Sequence, residues 1–419
     1  MFPATLMREH LLSIYKSALS VVNGRKTVAA FLREHSYPTP LALIAVGKAA
    51  TDMAAGAFEV LGEQITQALL ITKLGHLDKQ RLQGYPVLCL EAAHPVPDES
   101  SLAAGQTLLH FIEKLPAHYP VLFLISGGAS ALVEVLVPGV SLADLQRVNR
   151  WLLASGLDIH AMNQIRKSIS AIKGGRLATY LKKHPVLNLL ISDVPGDDLQ
   201  AIGSGLITQP KISKIPPNAL LTNGESSLPD WLRTLTAKAH DCPSCFSNIE
   251  QHIIAHPAIA RQGACEAAKP LGYAIFNHDI LIVGEAEQAG RILAQQLCSG
   301  NVGIFIWSSE TTVHLPENPG QGGRCQSLAL AAACEMAGQK EVFLLVAGTD
   351  GNDGPGEMAG ALVDGGTLKR GKRKGFNAAH CLAQADAGRF LAASGDLIET
   401  GPTGTNVMDI LIGLKAKGS

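Results

Sequence analysis

Val342-Phe-Leu-Leu-Val-Ala347, followed at once by Gly348-Thr-Asp-Gly-Asn-Asp-Gly-Pro-Gly356, is an unbroken apolar run that empties into glycines and carboxylates. Such a run reads as a buried strand, and the loop after it is how α/β enzymes build a seat for a phosphate and its metal. The glycines allow tight turns that present backbone N–H groups. Asp350 and Asp353 supply hard oxygens of the kind Mg²⁺ takes. Taken alone, the stretch reads equally well as a surface turn or a structural Ca²⁺ loop. What argues against that is recurrence, because several other strands in the chain end in the same way.

Outward from this stretch, short apolar runs alternate with stretches long enough for helices. Residues 41–46, 68–71, 87–90, 121–125 and 187–191 are expected strands, and 100–115 an expected helix opened by Asp98 as its cap. That rhythm predicts a mostly parallel sheet with helices on both faces. The pattern loosens into Pro, Asn, Ser and charge at 208–217 and again at 229–243, which places a domain boundary there. A second alternation follows, with expected strands at 253–255, 273–276, 303–307, 342–347 and 407–414.

Composition sets the class of partner. The 419 residues are 47% hydrophobic and 17% charged, a well-buried globular chain of two to three domains' length. A formal net charge of −1 gives no long-range pull on polyanions, so nucleic acid and anionic membrane are excluded as main partners and a small-molecule substrate is favoured. No apolar run approaches the ~20 residues a bilayer needs, and the N-terminus lacks a signal-peptide order, so a cytoplasmic protein is expected. The eight cysteines are spread thinly, as reduced thiols would be. Cys242-Pro-Ser-Cys245 has no second pair or histidine at zinc spacing and is read as a loop with two thiols. A homodimer is compatible with the sequence.

In a doubly wound sheet, ligands sit beyond the carboxyl ends of the strands. The first such crest is Val46-Gly47-Lys48-Ala49-Ala50, where Lys48 adds a mobile cation to a helix start already favourable to anions. A merely solvated lysine there would oppose the helix dipole. Ser126-Gly127-Gly128-Ala129-Ser130 reads either as a backbone cradle for phosphate or as tight strand–helix packing. After residues 187–191 comes Ser192-Asp193, where Asp193 is the candidate for metal binding or for receiving a substrate proton, while Asp197 and Asp198 cap the next turn.

Met162 to Gly175 shows helical periodicity, with Ile165, Ile169 and Ile172 on one face and Asn163, Arg166, Ser170 and Lys173 on another. That polar stripe is an anion-binding face or a wet one. Glu310 follows the 303–307 strand. Gly320-Gln-Gly322-Gly323-Arg324 opens a helix to about Ala337, and an arginine there can reach a transferring phosphoryl group. Left unpaired it would repel the helix dipole, so an anionic partner is expected. Thr400-Gly-Pro-Thr-Gly-Thr-Asn406 leads into the last strand. Gly366-Thr-Leu-Lys-Arg-Gly371-Lys372-Arg373 mimics a Walker pattern without a strand-to-helix context and is read as a solvated basic loop.

The order of Gly47-Lys48, His94-Pro95-Val96-Pro97-Asp98, Ser126 to Ser130, Asn163 to Lys167 with Lys173-Gly-Gly175, Ser192 to Asp197, Glu310-Thr-Thr312, Gly322-Gly-Arg324, Gly348 to Gly354 and Gly404-Thr-Asn406 resembles the class II glycerate kinases with a C-terminal MOFRL domain. The resemblance spans nearly the whole chain. It implies a Rossmann-like N-terminal α/β domain over 1–240, a smaller α/β domain over 241–419 containing the MOFRL region at about 300–415, and an active-site cleft between them. It further implies ATP-dependent phosphorylation of D-glycerate to 2-phosphoglycerate with Mg²⁺. Lys48, Asp193 and Arg324 match the catalytic positions. Ser126, Gly127, Gly128, Asn163, Arg166, Lys173, Glu310, Gly322, Gly323, Asp350 and Asn406 match substrate- or nucleotide-binding ones, with Asp193 and Asp350 as metal ligands.

The chain departs from the family pattern at Cys325, where Asn is usual, at Ser327, where an acid is usual, and at Ser168, Leu206 and Ser309. Two rival readings follow. Members of the family have been labelled hydroxypyruvate reductases, but no GxGxxG fingerprint follows any early strand. A non-catalytic binding protein that kept the fold is the other.

Overall fold

The computed structural model describes residues 4–155, 159–210, 229–236 and 246–417. Two compact units emerge, one of Thr27–Ile254 and one that joins Met1–Lys26 to Ala255–Ser419.

The first unit is built on six strands: β1 (Leu41–Val46), β2 (Ile65–Lys73), β3 (Val87–Ala92), β4 (Val121–Ile125), β5 (Val186–Ile191) and β6 (Ile249–Ala255), in the order β3-β2-β1-β4-β5-β6. The pairs β1–β2, β1–β4, β2–β3 and β4–β5 are parallel. This is the doubly wound order, and the direction of winding reverses between β1 and β4. Strands β1, β4 and β5 are buried at every residue, as their continuous apolar sequences require when helices cover both faces. Ile44, Val46, Leu69, Phe123, Ile125 and Leu190 lie in the shared core. Helix Glu99–Glu113 opens as expected on Asp98, whose carboxylate accepts from the Ser100 N–H at 2.8 Å while Ser101 Oγ accepts from the Asp98 N–H at 3.2 Å.

Two expectations change here. The helix carrying Asn163 and Arg166 spans Ile159–Ser168 and stops, because the chain beyond it pairs with another segment: Ala171 N–H donates to Val135 O at 2.6 Å and Val137 N–H to Ile169 O at 3.1 Å. Ile165 and Ile169 therefore pack with Leu145, Val148, Leu152, Leu232 and Leu235, while Ile172 joins the sheet core. The second concerns residues 253–255, expected to open the C-terminal alternation. They end β6, the edge strand of the first sheet, where Val186 N–H donates to Asn248 O at 2.8 Å and Asn188 Nδ2 to Gln251 Oε1 at 3.1 Å. The compact unit thus runs past the expected division at 240, because the polar break at 229–243 interrupts the chain without ending the sheet.

The second unit carries β7 (Ile275–Asn277), β8 (Ile282–Glu285), β9 (Gly303–Thr312), β10 (Val342–Gly348), β11 (Met358–Asp364), β12 (Leu397–Glu399) and β13 (Asp409–Lys415). Their order is β12-β11-β10-β13-β9-β7, with β8 also on β9. The sheet is mixed: β7 and β8 run parallel to β9, and the other pairs are antiparallel. Helix Ala4–Val21 belongs to this unit. It buries Leu11, Ile14, Tyr15 and Ala18, and its Arg8 reaches Asp364 at 2.6 Å and Asp396 at 2.9 Å. The segment read as a solvated basic loop is instead helix Thr367–Arg373, directly after β11. Its Arg370 turns back onto the same acids at 2.9 and 2.7 Å, while Lys369, Lys372, Arg373 and Lys374 stay exposed, so the run is solvated as expected but helical. No helix among the described residues is long and apolar enough to cross a membrane.

Candidate active site

The first unit gathers its polar chemistry where the winding reverses. Gly47 follows β1 at φ +135°, and a Cβ there would lie 2.1 Å from Ser126 Oγ and 2.6 Å from Ser126 O, so only glycine lets the turns after β1 and β4 touch. The two turns are then tied by hydrogen bonds. Ser126 N–H donates to Val46 O at 3.0 Å, Lys48 N–H to Gly127 O at 2.9 Å, and Ala49 N–H to Ser126 Oγ at 3.0 Å. Ser126 therefore caps the helix that begins at Ala50, whose own cap residue Ala49 has no side-chain acceptor. A Cβ on Gly128 would lie 3.0 Å from the His94 ring and 3.3 Å from Lys48 Cγ, which places the ring and the lysine stem together over the turn.

Beside this turn is a cavity of about 270 Å³ lined by His94, Gly128, Ser130, Asn149, Arg166 and Lys173, among others. Arg166 Nε donates to Asn149 Oδ1 at 3.1 Å, and burial lowers the pKa of its guanidinium. Ser130 Oγ lies 2.7 Å from Ser204 Oγ. Lys173 corrects the expected polar stripe: it is 2% exposed and ion-paired with Glu134, which is fully buried. Glu134 also accepts from Ser170 Oγ at 2.6 Å and from the Val135 N–H at 3.0 Å. The short return of the chain after Ser168 turns Ser170 and Lys173 inward. Asn163 is half-buried on its helix and does not line the cavity. Asp193 is half-buried two residues beyond β5, at the sheet end that also carries Ser126. Asp198 caps its turn as expected, accepting from the Gln200 N–H at 3.2 Å.

In the second unit the central charged side chain of the cluster is Arg324, first residue of helix Arg324–Glu335. Its anionic partners belong to the protein itself. Nε donates to Asp409 Oδ2 at 2.7 Å, one terminal nitrogen to Asp409 Oδ1 at 3.1 Å, and the other to Glu310 Oε1. Burial works against this charge, but the Asp409 and Glu310 carboxylates outweigh it and raise the guanidinium pKa. Glu310 lies within β9 rather than after it, paired with Val283 of β8. Asp409 opens β13 opposite Ser309 and Gly348, so the sheet register delivers it beside the arginine.

The Gly322-Gly323 turn is held by Asp353, whose carboxylate accepts from the Cys325 N–H at 3.0 Å and the Gln326 N–H at 2.8 Å. A Cβ on Gly323 would sit 2.3 Å from that carboxylate, which excludes any side chain. Burial pushes the Asp353 carboxyl up to about 7 although both N–H bonds pull it down. Gly348 lies close to both Asp350 and Asp409, since a Cβ there would be 3.2 and 3.6 Å from their carboxylates. Behind it, Tyr15 Oη donates to Gly348 O at 2.8 Å. Thr349 joins this loop to that of Asn406: its hydroxyl donates to Met408 O at 2.6 Å and accepts from the Val407 N–H at 2.8 Å. Asn406 is 6% exposed.

Glu134, Asn149, Asp409, Tyr15 and Thr349 were not singled out from sequence. Among the described residues no three His, Cys, Asp or Glu side chains gather as a metal cluster. That donor set still suits Mg²⁺, which takes one or two carboxylates together with substrate phosphates and water rather than an all-protein cage. Cys242 and Cys245 lie outside the described residues, and Cys89, Cys265, Cys298, Cys325, Cys334 and Cys381 are thiols.

Residues 10–228 match a family profile described as a domain of unknown function, DUF4147, and residues 303–409 match the MOFRL family. The chain is 36% identical to a D-glycerate 2-kinase of Thermotoga maritima over 99% of its own length and 100% of that protein's. It is 32% identical to a glycerate 2-kinase of Pyrococcus horikoshii, over 89% of this chain and 86% of that one. The crystal structure of glycerate kinase from Thermotoga maritima superposes with a TM-score of 0.83 at 35% identity, over 99% of this chain and 100% of that one. With a switch-point lysine in its first sheet and an arginine–carboxylate cluster in its second, the chain belongs to the glycerate kinase family that joins a DUF4147 domain to a MOFRL region.

Proposed function

We propose that this chain transfers the γ-phosphoryl group of ATP to D-glycerate, forming 2-phosphoglycerate, in the cytoplasm. The observation that carries the reading is end-to-end likeness to a D-glycerate 2-kinase combined with Lys48 at the β1–β4 reversal. Phosphoryl transfer asks mainly for positioning and for neutralising charge on phosphate oxygens. Mg²⁺ held by Asp193 or Asp350 together with the nucleotide would supply part of that neutralisation. Lys48 places a second cation beside the Ser126–Gly128 turn. Asp193 orients the acceptor hydroxyl or takes its proton. Arg324 offers the N–H groups that Asp409 and Glu310 leave over, and these carboxylates fix its plane so that no side-chain freedom is lost when an anion arrives. Asp350, Glu310 and Asn406 serve the nucleotide.

The test is ATP consumption with D-glycerate, with the product identified by phosphorus NMR. Phosphate on the secondary hydroxyl couples to a single proton and on the primary one to two, so 2-phosphoglycerate is distinguished directly from its isomer. NADH oxidation with hydroxypyruvate and no phosphorylated product would overturn the proposal in favour of a reductase.

A further inference from the structure

Arg166 is a buried-leaning guanidinium whose hydrogen-bond partner among the described residues is the neutral amide of Asn149. Burial lowers its pKa, and among the described residues no carboxylate acts to hold the charge. Among the described residues, the buried acid on the same wall, Glu134, is engaged by Lys173, Ser170 and the Val135 N–H. A partly desolvated cation kept without an anion is costly unless a ligand supplies one. It also lines a cavity, with His94, Ser130 and Asn149 offering hydrogen-bonding groups and the Gly128 backbone forming the wall toward Lys48.

Size then narrows the ligand. Drug-sized ligands occupy roughly 300–1,000 Å³, and the cavity holds about 270 Å³. That is room for a three-carbon hydroxy acid, and less than such larger ligands usually fill.

We infer that this cavity is the acceptor subsite, with Arg166 receiving the carboxylate of the hydroxy acid and His94, Ser130 and Asn149 reading its hydroxyls. This rests on the kinase reading and deepens it, because it assigns the acid and the nucleotide to different residues. Asn149 holds the guanidinium by its Nε, and no other described residue bonds its terminal N–H groups, which suit a two-point grip on a carboxylate. Lys173 is a positioning residue: with its charge offset by Glu134, it fixes the wall rather than competing for the acid.

The experiment measures glycerate and nucleotide KM separately for the wild type, Arg166→Gln and Arg166→Lys, and binding of glycerate and of its neutral amide, glyceramide, to the wild type by calorimetry. Arg166→Gln is expected to raise the glycerate KM by roughly a hundredfold, the scale of a charge-assisted pair, and to leave the nucleotide KM within about twofold. Arg166→Lys should recover part of the loss. Glyceramide should bind at least about tenfold more weakly than glycerate, a comparison that needs no variant to fold. A shift in nucleotide KM alone, or equal binding of glyceramide and glycerate, overturns the assignment. Were the wild type to phosphorylate nothing, the kinase reading would fail, whereas Arg166-dependent binding of small hydroxy acids would still support the subsite and absence of any such binding would remove it.

Discussion

Glu134→Gln isolates the buried ion pair on which the first unit's cavity wall depends. Both side chains are nearly inaccessible, 1% for Glu134 and 3% for Lys173. The substitution keeps the shape and the capacity to accept from Ser170 and Val135, and removes the charge facing the ammonium. Breaking a buried pair from one side costs about 3–5 kcal/mol, because the remaining charge stays desolvated. A unit of this size moves its melting temperature by roughly 2–4 °C per kcal/mol, so the first transition in a calorimetric scan should fall by about 6–20 °C. The double variant Glu134→Leu with Lys173→Met should recover most of that loss, since an apolar replacement of the whole pair is close to neutral. A Glu134→Gln protein within about 1 kcal/mol of wild type by urea denaturation would refute the account. So would a double variant as unstable as the single one.

Gly47→Ala forces a Cβ against Ser126 and should displace the turn carrying Lys48, lowering kcat/KM at least about tenfold while costing roughly 1–3 kcal/mol. Steady-state kinetics and chemical denaturation on one preparation read both. Asp409→Asn removes the two-point clamp on Arg324 and should reduce kcat by about a hundredfold or more with the glycerate KM little changed. An unchanged kcat would sink the assigned role. The Asp353 carboxyl titrates at about 7 in the folded protein, above its ordinary value. The folded state therefore keeps a proton that the unfolded chain loses near pH 4, so this contribution is complete below that pH and fades as pH rises through about 7. Stability of the second unit should fall between pH 5 and 8 by roughly 2–3 kcal/mol from this group, because about two pH units of that window lie below its folded value, and Asp353→Asn should flatten the slope in denaturation curves taken across that range.

Strands β1, β4, β5 and β10 were legible because each is a continuous apolar run bounded by turn residues, a signal that survives without tertiary information. β11 was not, since Met358-Ala-Gly-Ala-Leu-Val-Asp364 offers small residues and no alternation, and its strand character comes from pairing with β10. Lys48 could be singled out because strand ends are where a wound sheet exposes polar groups, and Arg324 because it stands on a glycine turn at a helix start. Their counter-charges could not. Asp409 is the first residue of an apolar run 85 positions after Arg324, and Glu134 stands 39 positions before Lys173. Only sheet register in the first case, and the chain's return after Ser168 in the second, brings them into contact. A charge singled out by sequence therefore pointed to a polar cluster, not to the group that balances it.

Helix Ala4–Val21 is translated ahead of the whole first unit, yet Arg8 and Tyr15 complete the second one. On the ribosome the partners of Arg8 and Tyr15, namely Asp364, Asp396 and Gly348, emerge only after the whole first unit has been made. Fusion tags or deletions at the amino end will consequently be felt as defects in the Gly348–Asp350 loop, more than three hundred positions downstream.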